Sequence, residues 1–437
     1  MGLRLHRPWP RVVLVALVLS ACFASAAYAG VFGGGGGSAV MACAKKVNGQ
    51  LRVVSDASQC LPSEYAIQLA QPQPPQPPPP GPQNVTVDCG AGQSINQAIQ
   101  QADPNEPLTI NIQGTCTEAV LVGRDNVTLL AASPGSGIQA PSANDTVIMF
   151  GGARGASVQG LTLSGGSAGI GAYGAMYQAQ DVHITGAANG VQAGGNSVVG
   201  LTNVRIDGCQ FGIGAGSGAS VGVTGGSITG CRFFAVNVVN GANLTLNGGV
   251  TVADSRFQGV VADFGGSIEI NDATISNSGI FDVAAFGGNV TVSGSDTLVT
   301  GSTFAGVSAS DGGNASVTQG ARVSGNGGGG VSADNGGHLL VQDGGIVENN
   351  TGSGINLIGA SSLRMQGGAI VRGNSGDGIH LSDTSVAELG DGTSQITGNT
   401  GHGIACDGSP SVAVIRGNPG TDSGNASPQI VCQSAGG

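Results

Sequence analysis

The sequence predicts an all-β protein, a right-handed parallel β-helix solenoid of about 12 coils of 21–25 residues with a short N-terminal capping helix. Three observations predict this fold. β-branched residues recur along most of the chain at a nearly constant spacing, and short segments between Gly and Asn alternate apolar with polar residues. In addition, no segment keeps a 3.6-residue period through a whole coil, which excludes a helical solenoid.

The N-terminal segment has the composition of a secretion signal. Three arginines precede the apolar run 12–21, and small residues follow it. We favour cleavage after Ala29; the alternative is a lipobox that ends at Cys22, which would leave an acylated, membrane-anchored cysteine. Residues 1–29 are therefore assigned to a signal peptide, and we expect the protein to be secreted, periplasmic or on the outer cell surface.

The charge of the chain argues against two classes of partner. The formal net charge is −11, and removal of residues 1–29 takes away three arginines and no acid, which leaves −14. Nucleic acids and anionic membranes both attract clustered Lys and Arg, and the chain has no basic run. We expect no nucleic acid partner, and a membrane contact only through a lipid anchor at Cys22.

Two short segments separate the signal from the repeat. Residues 30–70 contain a Gly-rich spacer and a small module in which Cys43 and Cys60 flank a strand-like stretch. Residues 71–83 are rich in proline and predict a semi-rigid polyproline linker. The β-helix domain is then predicted over residues 84–437.

One amphipathic helix opens this domain. Ser94 and Gln97 form a capping box, and Pro104 ends the helix. We expect the helix to cover the open end of the solenoid core. Its apolar face is formed by Ile95, Ala98, Ile99 and Ala102.

One β-branched residue after a small residue marks each coil. Successive marks are 21 to 25 residues apart, and Ile430 is interpreted as a last partial coil. These landmark residues are Ile148, Ile170, Val191, Ile213, Val236, Val260, Val283, Val307, Val331, Ile355, Ile379 and Ile404.

Two further columns follow from this register. Asparagines stand five residues before four successive landmarks, which predicts a ladder of stacked side-chain amides along the axis. Paired glycines stand a few residues after four landmarks and predict aligned turns. The asparagines are Asn326, Asn350, Asn374 and Asn399, and the pairs are Gly265-Gly266, Gly287-Gly288, Gly312-Gly313 and Gly336-Gly337.

Apart from Cys22, the cysteines fall along the chain as four neighbouring couples. Within the repeat, the two members of a couple occupy nearly the same column of adjacent coils, within disulfide reach. No CxxC or Cys/His metal spacing occurs, so disulfides in an oxidising compartment are the better interpretation. The predicted disulfides are Cys43–Cys60, Cys89–Cys116, Cys209–Cys231 and Cys406–Cys432.

The start of the repeat resembles the opening coil of the pectin-lyase-like right-handed β-helix superfamily. Residues 110–118, Ile-Asn-Ile-Gln-Gly-Thr-Cys-Thr-Glu, followed by Asn-Val-Thr-Leu-Leu at 126–130, carry the resemblance, which covers about residues 84–437. Pectin methylesterases of that superfamily usually have Tyr where this chain has Cys116. Catalytic motifs of the superfamily's enzymes are not recognisable, so the resemblance implies the architecture and no catalytic residue.

Asp377, His380 and His402 are the candidate catalytic residues. Asp377 and His402 share a column in adjacent coils, which predicts an Asp/His pair about 5 Å apart, and His380 is expected to project outward next to the landmark Ile379. His402 lies in a Gly-His-Gly sequence similar to that of polygalacturonases. Equivalent positions in preceding coils vary, however, so a surface hydrogen bond is the ordinary interpretation of this pair.

An acidic edge is the one candidate metal site. Five aspartates lie three or four residues past successive landmarks, where turn formation is the favoured role and calcium binding is the alternative. No other cofactor is expected. The aspartates are Asp263, Asp311, Asp334, Asp383 and Asp407.

Two functions remain open from the sequence. The first is a non-enzymatic exported or cell-surface rod that contacts glycan, adheres or serves as structure, because catalytic clusters are missing from a plain Gly/Ala/Ser surface. The second is a polysaccharide-active enzyme, a lyase or glycoside hydrolase, by analogy of fold alone.

Overall fold

The computed structural model describes residues 40–69, 81–390, 392–407, 412–415 and 422–432, which fall in two compact units, residues 1–79 and 80–437. The predicted signal peptide, its cleavage site at Ala29, the alternative lipidation site Cys22 and most of the proline-rich segment lie outside the described residues.

The first unit is a small three-stranded antiparallel sheet. Its central strand, Val40–Lys45, pairs with Leu51–Val54 on one side and Glu64–Leu69 on the other, and a 3₁₀ helix spans Ala57–Gln59. Cys43 and Cys60 form a disulfide with a Cα–Cα distance of 5.3 Å. With so little apolar surface to bury, a module of this size depends on such a covalent link.

The second unit begins with a strand and one short α-helix. Helix α1, Ile95–Gln101, is capped by Ser94, whose hydroxyl accepts a hydrogen bond from the Gln97 backbone N–H, and it buries Ile95 and Ile99. Ala98 and Ala102 pack partly buried against the same core. The predicted capping helix is thereby confirmed. No helix of the described residues is long and apolar enough to span a membrane.

The remaining strands form three long parallel sheets, visited in the order sheet 1, sheet 2, sheet 3 in each coil. Sheet 1 comprises Gln83–Asp88, Leu108–Gln113, Val127–Ala131, Ala156–Gln159, Met176–Gln180, Val198–Thr202, Ser220–Thr224, Asn243–Asn247, Ser267–Asn271, Asn289–Ser293, Asn314–Val317, His338–Val341, Ser362–Met365, Val386–Leu389 and Val412–Ile415. Sheet 2 comprises Thr115–Thr117, Gly137–Gln139, Thr162–Ser164, His183–Thr185, Arg205–Asp207, Ser227–Thr229, Val250–Ala253, Ala273–Ser276, Leu298–Thr300, Arg322–Ser324, Ile346–Glu348, Ile370–Arg372, Gln395–Thr397 and Asp422–Ser423. Sheet 3 comprises Val120–Val122, Thr146–Gly151, Ala168–Tyr173, Asn189–Gly194, Phe211–Ala215, Phe234–Val238, Gln258–Asp263, Val283–Phe286, Ala305–Ser310, Gly329–Ala333, Ser353–Leu357, Ile379–Ser382, His402–Asp407 and Ala426–Val431.

The predicted fold class, a parallel β-helix solenoid, is confirmed, and so is its register. All twelve landmark residues pair with one another in sequence along sheet 3, from Ile148↔Ile170 to Ile379↔Ile404. The expected number of about 12 coils was low: the described strands make 14, because Val120 pairs with Ile148 and Ile430 pairs with Ile404. The first coil was missed because it is 28 residues long and breaks the spacing.

Inward-facing side chains of the three sheets form one continuous apolar core. Many strands bury alternate residues, as Leu108–Gln113 does, whereas some strands of sheet 3, such as Ala305–Ser310, are buried along their whole length. The alternation has the period of two that the sequence showed, since successive side chains of a strand point to opposite faces. The solenoid therefore presents its other side chains and its turns to solvent.

The predicted asparagine ladder is confirmed and extends by one rung. Asn326, Asn350, Asn374 and Asn399 are buried, and each donates its side-chain N–H to the side-chain oxygen of the next, at 2.9–3.0 Å. Asn399 donates in the same way to Asn425. The ladder satisfies buried amides that would otherwise carry the full cost of lost hydration.

Paired glycines form the aligned turns between sheet 3 and sheet 1. Gly312 has φ +75°, and a side chain on Gly313 would collide with the backbone of Ala285 in the preceding coil. One glycine thus supplies left-handed backbone and the other permits close approach of coils. The other predicted pairs have the same combination of positive φ and close backbone contact.

Candidate functional site

The turns that join sheet 2 to sheet 3 carry the most varied surface of the solenoid, and we call them the turn face. The second residue of each turn points into the core, as Cys231 and Ser255 do. The following residues remain at the surface, among them Arg256 and Phe257. Turn backbones of successive coils are also hydrogen-bonded, since Arg256 donates its N–H to Cys231 O at 2.9 Å. Side chains on this face are therefore held at fixed spacing.

A groove of about 770 Å³ runs along the turn face across five coils. Most of its lining residues are Gly or Ala, as at Gly186 and Ala188, so that missing side chains create the concave shape. The turn at 140–145, in the long first coil, lies at one end, and Arg232 lies at the other. The buried Cys209–Cys231 disulfide joins two of the coils beneath it, with the Cα atoms 4.7 Å apart.

A row of aromatic side chains continues from the Arg232 end of the groove. We call it the aromatic row, and it consists of Phe211, Phe233, Phe257, Ile280 and Phe304. Ring centroids of Phe211 and Phe233 are 5.2 Å apart, those of Phe233 and Phe257 are 5.7 Å apart, and both pairs are within 20° of parallel. Phe257 and Phe304 are 38% and 56% exposed. Ile280 and Phe304 follow Phe257 at the equivalent positions of the next two coils, and the backbones of the three residues are hydrogen-bonded in turn.

Two arginines border the aromatic row. The Arg232 guanidinium lies 5.6 Å from the ring centroid of Phe233, and Arg256 occupies the equivalent position in the next coil. Neither forms an ion pair with the described residues, and both are exposed. In a chain with net charge −11, these two side chains provide local positive charge next to apolar rings.

A polar cluster on sheet 2 lies directly before the groove-lining Gly208. Asp207 accepts hydrogen bonds from Arg205 Nε at 2.6 Å and Thr229 Oγ1 at 2.7 Å, and its Oδ2 is 2.9 Å from His183 Nε2. Burial would raise the pKa of Asp207, but these three partners together hold it below the usual value. With its carboxylate fully paired, the cluster fixes the outer surface of three coils and offers no free nucleophile.

The predicted Asp377–His402 pair is not a contact between their side chains. Asp377 Oδ1 accepts the backbone N–H of His402 at 2.7 Å, whereas its Oδ2 lies 3.0 Å from His380 Nδ1. The His402 ring instead bonds Pro428 O at 2.7 Å. The shared column was correct, but the turn directs the His402 backbone toward Asp377 and its ring toward the last coil.

His380 connects two carboxylates of neighbouring coils. It projects outward between Asn356 and Ala405, as expected, and its Nε2 lies 3.4 Å from Asp407 Oδ2. Asp377 and Asp407 thus contact opposite nitrogens of one ring. Both ring nitrogens are engaged, so the three candidate residues form a bridge between coils, and their catalytic role stays a prediction.

The aspartates of the acidic edge do not converge on one point. In the described residues no three of these carboxylates come within ligand distance of one another. Burial raises the pKa values of Asp263 and Asp334, and the charge of Asp311 adds to both shifts. Asp311 itself accepts a hydrogen bond from Asn335 Nδ2, as a turn residue does. Calcium binding stays a prediction.

The aromatic row is a surface feature that the sequence did not lead us to expect. Its phenylalanines are far apart in the sequence and are brought together by the coil register. A signal was available: Arg-Phe occurs at the same distance before two successive landmarks, as Arg232-Phe233 before Val236 and Arg256-Phe257 before Val260.

No protein-family model and no curated protein matches the chain. Among solved structures, the catalytic domain of a GH87 α-1,3-glucanase in complex with tetrasaccharides is similar with a TM-score of 0.39 and 13% identity, covering 84% of this chain and 74% of that one. A GH87 α-1,3-glucanase catalytic domain in complex with nigerose has a TM-score of 0.36 and 15% identity, covering 86% and 74%. The tailspike protein 3 of bacteriophage CBA120 has a TM-score of 0.26 and 11% identity, covering 77% and 62%. None of the three assigns a residue or an activity to this chain.

Proposed function

We propose that the protein is an exported or cell-surface β-helix that binds glycan along its turn face without cleaving it. The carrying observation is the aromatic row, which is exposed, spans successive coils and adjoins an open groove of about 770 Å³. Export is supported by four disulfides, which indicate an oxidising compartment.

Groove and row suit an extended polymer better than a small molecule. Their lining residues come from consecutive coils, so the site is elongated along the solenoid axis. Apolar ring surface next to backbone polar groups and arginines is the combination that sugars require, since a pyranose has both an apolar face and hydroxyl edges. Because the turns are tied by backbone hydrogen bonds, little conformational entropy is lost on binding.

The absence of turnover in this proposal rests on two polar clusters of the solenoid surface. Asp207 is already paired with His183 Nε2, Arg205 and Thr229, and both ring nitrogens of His380 contact carboxylates. Enzymatic hydrolysis of a glycosidic bond generally uses two carboxyl groups placed on either side of that bond. The groove itself is lined by no carboxylate.

The test is binding of the purified mature protein to immobilised acidic and neutral polysaccharides, with cleavage followed on the same samples. We expect binding without cleavage products. The double variant Phe233→Ala with Phe257→Ala should weaken binding by about tenfold or more, because each aromatic contact contributes about 0.5–1.5 kcal/mol beyond its buried area.

Phe264→Ala is the matched control. Phe264 is 74% exposed but lies in the turn between sheet 3 and sheet 1, so its loss should leave binding unchanged. Equal losses in both variants, or no glycan binding at all, would refute the proposal. Turnover that disappears in Asp377→Ala or His402→Ala would establish the alternative, a polysaccharide lyase or glycoside hydrolase.

A further inference from the structure

A carboxyl group is enclosed in the solenoid beneath the middle of the aromatic row. Asp282 is 0% exposed and ends the six-residue turn 277–282, which carries Ile280. Its Oδ1 accepts the backbone N–H of Ser278 at 2.9 Å. Its Oδ2 has no hydrogen-bond partner, and the buried hydroxyls of Ser278 and Ser255 have none either.

The residues around Asp282 explain why its position can hold a side chain. Most other coils have glycine directly before the landmark, and at Gly330 an added Cβ would lie 2.7 Å from Asn350 Nδ2 of the next coil. Around Asp282 the ladder residues are the short Ser278 and Ser302 instead of asparagine. The carboxyl group of Asp282 therefore fills the space that an asparagine amide fills further along the solenoid.

The Asp282 carboxyl group offers the same hydrogen-bond donor and acceptor as an asparagine amide only when it is protonated. The ladder amides use both an acceptor and a donor, as Asn350 does when it accepts from Asn326 and donates to Asn374. A neutral carboxyl also has one of each, whereas a carboxylate has acceptors only. An ionised Asp282 would leave a charge in the core with only Ser278 and the Ser302 backbone near enough to stabilise it.

No opposite charge offsets that cost. The turn at 254–257 contributes Asp254 and Arg256, both exposed, and the turn at 301–304 contributes no titratable group. On the strands around it, Asp263 ends its strand on sheet 3, and Glu269 faces solvent from sheet 1. Neither Arg256 nor any other cation of the described residues forms an ion pair with Asp282.

We propose that Asp282 is a buried proton-binding site, and that its bound proton holds the turn 277–282, and with it the centre of the aromatic row, in place. Loss of the proton at higher pH opens this turn so that the carboxylate reaches water. The part of this proposal that concerns ligand binding rests on the proposed glycan function; the proton site itself does not.

The direction of the pH dependence follows from linkage. Burial raises the pKa of Asp282 to about 7, partly offset by the backbone and side chain of Ser278 and by the backbone of Ser302, while its unfolded value is 3.8. The closed turn is thus fully stabilised below pH 3.8, loses stability as pH rises toward 7, and is constant above it. The closed-to-open ratio should fall by up to about 1000-fold across this window, since each pKa unit corresponds to a factor of ten.

Hydrogen exchange of the full mature protein tests the site without any ligand. Peptides that cover the turn 277–282 are followed from pH 4 to pH 8, with correction for the intrinsic exchange rate. We expect their protection to fall with pH in the wild type and to stay flat in Asp282→Asn, because the amide reproduces the protonated acid. Peptides across the asparagine ladder at 349–357 should show no such trend.

Asp296→Asn is the matched control and should keep the wild-type profile, because Asp296 is an exposed carboxylate in a turn between sheet 1 and sheet 2, away from the turn 277–282. If Asp282→Asn does not fold, Asp282→Ser replaces it and should also give a flat profile. A wild-type protection that does not change with pH would overturn the proton site. So would a pH dependence that survives in Asp282→Asn and in Asp282→Ser.

Ligand binding then separates the two proposals. If glycan binds, affinity should be greater at pH 5 than at pH 8 in the wild type and independent of pH in Asp282→Asn. Flat exchange profiles together with glycan binding would reject the proton site and leave the proposed function standing. A pH-dependent turn in a protein that binds no glycan would keep the proton site and reject the proposed function.

Discussion

At the scale of single residues, the second residues of the turns form a buried column along the turn face. This column restricts which side chains fit at the adjacent positions. The column changes along the axis from the disulfide Cys209–Cys231 through serines to the asparagine ladder. Where asparagine occupies it, the residue before the landmark is glycine, because an added side chain would collide with atoms of the next coil, as Gly330 would with Val347 Cγ1 and Asn350 Nδ2. The residue in the buried column and the residue before the landmark therefore restrict each other.

The ladder predicts a large cost for one internal rung. Asn374→Ala removes the acceptor of Asn350 and the donor to Asn399 and leaves Val347 O without its partner. At about 1–3 kcal/mol for each unsatisfied buried group, we expect a loss of about 3 kcal/mol in the free energy of unfolding. Urea unfolding followed by circular dichroism measures it.

Asn243→Ala provides the comparison for this variant, since Asn243 lies exposed on sheet 1. It should change the free energy of unfolding by less than about 0.5 kcal/mol. Similar effects of the two substitutions would show that the ladder amides contribute no more than surface residues.

At the scale of elements, helix α1 is held to the first coil by the Glu118 carboxylate and by the Asn96 side chain, which donates to Ala119 O at 2.8 Å and accepts from the Leu121 N–H at 2.9 Å. Glu118 accepts from Ser94 Oγ at 2.8 Å, from the Ile95 backbone N–H at 2.6 Å and from the Asn96 backbone N–H at 3.2 Å. It thus caps the helix N-terminus from the strand side, where negative charge is favoured by the helix dipole. A disulfide, Cys89–Cys116, closes the same end of the solenoid.

Glu118→Ala should therefore loosen the end of the solenoid without unfolding it. Removing a charged cap of this kind costs about 1–3 kcal/mol, so protection from hydrogen exchange in residues 95–101 should fall by about tenfold or more. Glu269→Ala, on the exposed surface of sheet 1, should leave it unchanged. Unchanged protection in Glu118→Ala would mean that the helix is held by its other side chains alone.

At the scale of the whole solenoid, stability is distributed over interfaces between neighbouring coils. Each coil of the described residues pairs through its strands with the coil before it and the coil after it, so no single residue organises the fold. Ends are the exception, because only they expose unpaired strand edges.

This organisation predicts that one complete coil is dispensable and half a coil is not. Deletion of residues 326–349 joins Gly325 to Asn350 and keeps every column in register. The product should retain its β-sheet circular dichroism and the glycan binding that we propose for the turn face. Deletion of residues 326–337 would bring the sheet 1 strand His338–Val341 directly after the sheet 2 strand Arg322–Ser324, where a sheet 3 strand belongs, and should abolish folding. A folded half-coil deletion would contradict the register.

Much of the architecture could be predicted from the sequence because a solenoid repeats the same local pattern of residues in every coil. The landmarks, the asparagine ladder, the paired glycines and the capping helix each recur or obey local rules, and the structure has all of them, together with the four predicted disulfide pairs. The count of coils was low only at the two ends, where the first coil is longer than the others and the last had been interpreted as partial.

By itself, then, the sequence determined the coil and its register, because these follow from the spacing of residues along the chain. Only the tertiary structure decided what the coils bring together across the turns. It placed His380 rather than the His402 ring against Asp377, lined up Phe233 and Phe257, and enclosed Asp282. These outcomes depend on side-chain direction and on the depth of burial, and neither is set by spacing alone.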